Sequence, residues 1–190
     1  KAAIVTDVGG VDDRSFNQSA WAGLTAWGQE NGLTKNTDYT NFQTASESDY
    51  VTNLDSAVSG GYNLVFGIGF ALESAIAEVA PNNPDTNYVI VDSVVADQDN
   101  VVSVGFADHE ASYLAGVAAA KSTKTNHIGF IGGMEGVIID RFEAGFVAGA
   151  KSVNPDIKIT VDYAGSFADA AKGQTLAAAQ YAAGADVIFH

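Results

Sequence analysis

Short apolar runs alternate with longer amphipathic ones along almost the whole chain. The strand-like runs fall at residues 2–6, 39–43, 64–68, 88–92, 101–105, 127–131, 158–162 and 185–190. They are rich in Val and Ile and show little polar alternation. Strands buried on both faces read this way, so a parallel sheet is expected. Helical periodicity fills most of the gaps, at 15–30, 48–59, 71–80, 108–121, 140–151 and 168–183. Ser15 with Gln18, and Asp140 with Glu143, match the capping box, in which each side chain satisfies a free backbone N–H. Gly32 and Gly184 follow their helices as C-terminal stops.

A βαβαβ order of this kind predicts an α/β fold, a doubly wound parallel sheet with right-handed crossovers. Ligands of such sheets sit beyond the carboxyl ends of the strands. The polar stretch Lys121-Ser122-Thr123-Lys124-Thr125-Asn126 breaks the periodicity, and the pattern after it restarts in a form like the beginning. Ile4-Val5-Thr6, Asp13-Arg14-Ser15-Phe16 and Ala22-Gly23 parallel Gly129-Phe130-Ile131, Asp140-Arg141-Phe142 and Ala148-Gly149. Two α/β lobes are therefore expected, 1–122 and 123–190. The second offers only three strands and stops on an apolar run, so it reads as incomplete, a part of a longer protein.

Composition narrows the function. The 190 residues carry 23 acids against nine Lys plus Arg, a formal net charge of −14. Such a surface is a poor partner for nucleic acid, whose affinity rests largely on phosphate neutralisation. It also repels a small ligand bearing several phosphates, but not a neutral one. No stretch of 18 or more apolar residues is present, and no signal peptide is visible. With no cysteine, disulfides, thiolate catalysis and Cys-based zinc sites are excluded. The three histidines, His109, His127 and His190, match no metal-ligand spacing, so no metal is expected.

Candidate chemistry concentrates at the first strand-to-helix turn, Thr6-Asp7-Val8-Gly9-Gly10-Val11-Asp12-Asp13-Arg14-Ser15-Phe16-Asn17-Gln18. Asp7 lies directly after the strand. Its carboxylate suits two neighbouring hydroxyls, as in a ribose; it equally suits a turn or helix cap. Phe16 fits a hydrophobic staple or a ring that stacks on a planar base. Asn17 offers a donor and an acceptor beside it, or is a solvated helix residue. Asp92 repeats the strand-then-acid arrangement. No nucleophile or metal triad accompanies the two acids, so catalytic residues are not assigned. Gly67-Ile68-Gly69-Phe70 holds only two glycines of a dinucleotide fingerprint. Gly69 lets backbone approach a ligand, and Phe70 borders the same pocket. The four glycines from Gly129 to Gly136 lack the Lys and Ser/Thr of a phosphate loop. No cofactor is implied.

The run from Asp7 to Gln18 with Trp21 resembles the opening signature of the basic membrane protein (BMP) family, the PnrA-like purine nucleoside-binding lipoproteins of ABC transporters. Gly67-Ile68-Gly69-Phe70, Val91-Asp92, Ile128-Gly129-Phe130-Ile131-Gly132-Gly133-Met134, Arg141-Phe142-Glu143-Ala144-Gly145-Phe146, Gly165-Ser166-Phe167 with Lys172-Gly173, and Gly184-Ala185-Asp186-Val187-Ile188-Phe189 are similar to the family as well. The resemblance implies a periplasmic-binding-protein type I-like fold, with ligand held between two lobes, and a purine nucleoside as ligand. It implies roles for Asp7 as the acid, Phe16 as the stacking aromatic, Asn17 as its polar neighbour, Asp92 as a second polar contact and Phe189 as the opposing aromatic. It further implies permease subunits as partners, an extracytoplasmic location, and an N-terminal lipid anchor lying outside these residues. A ligand-sensing domain of a regulator and a Rossmann-type nucleoside-processing enzyme remain as alternatives from other classes.

Overall fold

The computed structural model describes residues 1–167 and 169–190 and forms two compact units, Lys1–Phe106 and Ala107–His190. Unit 1 is a five-stranded sheet in the order β2-β1-β3-β4-β5, with every adjacent pair parallel. The strands are β1 (Ala2–Val5), β2 (Tyr39–Phe42), β3 (Leu64–Ile68), β4 (Asn87–Val91) and β5 (Val101–Val104). The helices are α1 (Phe16–Glu30), α2 (Tyr50–Ser59) and α3 (Glu73–Val79). Central β1 has no polar residue and is buried throughout, which is what an all-apolar strand covered on both faces requires. Ala3, Val5, Leu54, Val65, Ile76, Tyr88 and Ile90 build the core around it.

Unit 2 is a three-stranded parallel sheet in the order β7-β6-β8, made of β6 (His127–Gly132), β7 (Lys158–Tyr163) and β8 (Val187–Phe189). Its helices are α4 (Asp108–Ser122), α5 (Val137–Val153) and α6 (Ala170–Ala182). Phe146 stacks on Phe189 at 5.2 Å between centroids, and both rings pack on Phe130 over Ile128, Ala119 and Ala150.

All eight expected strands and all six expected helices are present, with ends moved by a few residues; the expected first residue of the last helix, Ala168, lies outside the described residues. Helix 71–80 divides into a 3-10 turn at Phe70–Leu72, α3, and a second 3-10 turn at Ala80–Asn82 that contains Pro81. Gly32 and Gly184 do end their helices, with φ of 66° and 102°.

Both expected capping boxes are corrected. The Ser15 side chain makes no cap hydrogen bond. The carboxylate of Asp13 has already taken the N–H groups that Ser15 was to satisfy. At α5 the helix begins at Val137, and Asp140 lies inside its first turn, where its N–H donates to the Gly136 carbonyl at 2.8 Å. Val137, Ile138 and Ile139, three residues ahead of the expected start at 140, supply the first turn together with Asp140.

The division between units falls after Phe106, and not at 122/123, because α4 packs on α5. The contact is backbone to backbone. A methyl group on Gly116 would stand 2.0 Å from the Phe146 carbonyl oxygen, and one on Gly149 would stand 1.9 Å from that of Tyr113. The polar stretch where the periodicity breaks is the end of α4, Lys121 and Ser122, followed by a loop that is anchored within unit 2. Asp186 accepts from Thr123 Oγ1 at 2.5 Å, Lys124 N at 2.6 Å and Thr125 N at 3.1 Å.

Candidate functional site

The turn between β1 and α1 is organised by two carboxylates and one amide. Asp7, half-buried at the end of β1, accepts at Oδ1 from Gly9 N at 2.8 Å and from Asn17 Nδ2 at 2.7 Å. Asp13 accepts from Ser15 N at 2.9 Å, Asn17 N at 3.0 Å and Gln18 N at 2.9 Å, which closes the start of α1. The Asn17 amide also donates to Asp13 Oδ2 at 2.9 Å, so one buried NH2 group ties both acids together. Burial pulls the Asp13 carboxyl upward, but the N–H groups of Gln18, Ser15 and Asn17, with the Asn17 side chain, outweigh it and hold it below the usual carboxylate value.

Asn17 is therefore a buried positioning residue and not a solvated one. With its NH2 committed to the two acids, its Oδ1 is left buried without a hydrogen-bond partner among the described residues. Both readings of Asp7 have a physical basis. Oδ1 caps the turn, while Oδ2 lies 3.4 Å from the point where a Cβ on Gly69 would stand. That approach is open because Gly69 carries no side chain, and its φ of 97° is one that glycine adopts at little cost.

Three other strand ends converge on the same edge of unit 1. Gly69 N donates to the Val91 carbonyl at 3.2 Å, and Asp92 N donates to the Val104 carbonyl at 2.7 Å. Asp92 is 8% exposed and holds a φ of 69°, a left-handed conformation that is costly for a residue with a Cβ and is enriched where function demands it. Phe70, half-buried, opens the 3-10 turn after Gly69.

Phe16 is 43% exposed, so it does not act as a buried staple. Its ring lies 5.7 Å from that of Phe106, tilted by 58°. Asp7, Asn17, Gly69, Phe16, Phe70 and Asp92 thus all stand at the carboxyl edge of the unit 1 sheet. Phe189 belongs to unit 2, where its ring stacks on Phe146 in the core and borders a cavity of about 750 Å3.

Three further residues of this region, Asp13, Phe106 and Tyr50, are not marked as site residues by the sequence pattern. Asp13 stood two positions before the expected cap. Phe106 lies two positions after the end of β5, as Asp7 lies two positions after the end of β1, and that placement was the available signal. Tyr50 begins α2 and is buried. Burial, with the charges of Asp7 and Glu47, pushes its hydroxyl up to about 12.

The sequence profile of the PnrA-like ABC transporter substrate-binding proteins matches residues 1–190. The chain belongs to this family. The ABC transporter nucleoside-binding protein BmpA of Lactococcus lactis subsp. cremoris is 65% identical over 189 residues, covering 100% of this chain and 54% of the relative. The CD4+ T-cell-stimulating antigen of Listeria monocytogenes is 56% identical, covering 99% of this chain and 53% of the relative. This PnrA-like chain thus spans about half the length of the curated relatives it matches. A crystal structure of an ABC transporter solute-binding protein from Aeropyrum pernix K1 superposes with a TM-score of 0.86 at 29% identity, covering 98% of this chain and 53% of that one.

The PnrA-like fold is accordingly α/β, with parallel sheets of the periplasmic-binding-protein type I-like class, as the resemblance implied. Among the described residues, no group of three or more His, Cys, Asp or Glu is placed to hold a metal, and no helix is long and apolar enough to cross a membrane. His127 is 4% exposed and shares a hydrogen bond with Thr160 Oγ1 at 2.7 Å, so it is built into the unit 2 sheet.

Proposed function

We propose that this chain is the binding portion of an ABC transporter substrate-binding protein that captures a purine nucleoside for uptake. The observation that carries the reading is the Asp7 carboxylate, pre-oriented by Asn17 beside an exposed Phe16. A base stacks on Phe16, and Asp7 and Asp92 take hydroxyl or base N–H donors. Base stacking contributes about 1–3 kcal/mol, and a hydrogen bond to a charged group about 1.5–3 kcal/mol. Two or three such contacts approach the roughly 8 kcal/mol that micromolar affinity requires. A neutral ligand also suits a chain of net charge −14. The name of the Lactococcus relative supports the ligand class.

On this reading the partners are the permease subunits of a transporter. The protein works outside the cytoplasm, held at the membrane by a lipid, and it releases its ligand chemically unchanged. The test is calorimetric titration of the full-length protein with nucleosides, free bases and sugars. Phe16→Ala and Asp7→Ala are each expected to weaken nucleoside binding about tenfold or more, a loss of about 1.4 kcal/mol. Unchanged affinity in both variants refutes the site, and free base appearing in the mixture refutes a binding role without catalysis.

A further inference from the structure

Two large rings stand exposed together on unit 1: Phe16 at 43% and Phe106 at 47%. They come from opposite ends of the unit, one opening α1 and the other following β5, and they meet at 5.7 Å with a tilt of 58°. Tilted aromatic contacts of this separation are favourable, because the positive edge of one ring faces the negative face of the other.

The geometry points to Phe106 as a second wall for the same base, one that selects two-ring over one-ring bases. The inference rests on the nucleoside-capture reading. A base lying flat on Phe16 adopts the orientation of that ring, and so stands 58° from the ring of Phe106. Phe106 then meets the base edge to face, the arrangement that ring quadrupoles favour. A purine reaches farther across such a notch than a pyrimidine, so the purine gains more from the second wall. Phe16 supplies stacking that any base can use, whereas Phe106 supplies the discrimination.

The experiment titrates the full-length protein and its Phe106→Ala, Phe106→Leu, Phe106→Tyr and Phe16→Ala variants with adenosine and with uridine. Phe106→Ala is expected to weaken adenosine about tenfold, within the range of one lost aromatic–base contact, and to weaken uridine much less. Phe106→Leu keeps apolar bulk and is expected to lose the same discrimination, which holds the test open if the alanine variant folds poorly. Phe106→Tyr is expected to restore it. Equal losses for the two nucleosides mean that Phe106 only braces Phe16, and they overturn the inference. Wild-type binding that Phe106→Ala leaves unaltered overturns it alone. A wild-type protein that binds neither nucleoside overturns the capture reading and this inference with it.

Discussion

The side-chain amide of Asn17 donates to Asp7 at 2.7 Å from a position with no solvent exposure. The carboxylate that ends β1 is thereby held by the first turn of α1, so the helix start and the candidate site form one hydrogen-bonded unit. The same amide also holds Asp13, at 2.9 Å.

Asn17→Ala is expected to lose stability and binding together. Two carboxylates lose a shared donor in a buried place, which costs about 1–3 kcal/mol. Asp7 loses its orientation, and nucleoside affinity is expected to fall by at least about tenfold. Urea unfolding and calorimetric titration read the two effects. Native affinity in a destabilised Asn17→Ala protein would show that the amide supports the fold without arranging the site.

Asp13 and Ser15 separate two accounts of how α1 begins. Asp13→Ala removes the acceptor of three backbone N–H groups and is expected to cost about 0.5–2 kcal/mol, the range for loss of a cap. Ser15→Ala removes a hydroxyl that caps nothing and is expected to change stability by less than about 0.5 kcal/mol. Thermal melts of the two variants decide the matter, and the reverse order would restore the Ser15–Gln18 box.

The latch at Asp186 sets an acid limit on unit 2. The Thr123 hydroxyl first, then the N–H of Lys124 and, more weakly, Thr125, draw its carboxyl down from 3.8 to about 2 against the opposing effect of desolvation. A carboxylate lowered on folding adds stability above its unfolded pKa and loses that contribution as pH falls through its folded one. The stability gap between wild type and Asp186→Asn should therefore be constant near neutrality and narrow between about pH 4 and pH 2. Urea midpoints measured across that range check it; a gap that does not change with pH speaks against the latch.

The strands were legible because apolar runs such as Ala2–Val5 carry their burial in their own composition. Helices such as α2 and α5 were legible through their amphipathic periodicity. Asp7, Phe16, Asn17, Gly69, Phe70 and Asp92 could be named because strand ends locate binding edges in doubly wound sheets. What stayed hidden depends on contacts between residues far apart in the chain. Phe106 gains meaning only from Phe16, and Asp13 displaces Ser15 only because the turn folds its carboxylate over the helix start. The placement of α4 was hidden for the same reason: its buried face is Asp108, Ser112, Gly116 and Ala119, which marks no apolar stripe, and only the fold shows that its neighbour is α5.

The meeting of Gly116 with Phe146, and of Gly149 with Tyr113, has a mechanical meaning. Where main chain touches main chain, no cushion of rotamers can absorb a displacement. α4 and α5 thus resemble a single girder, in which a tilt of one helix must carry the other with it or open the seam between them.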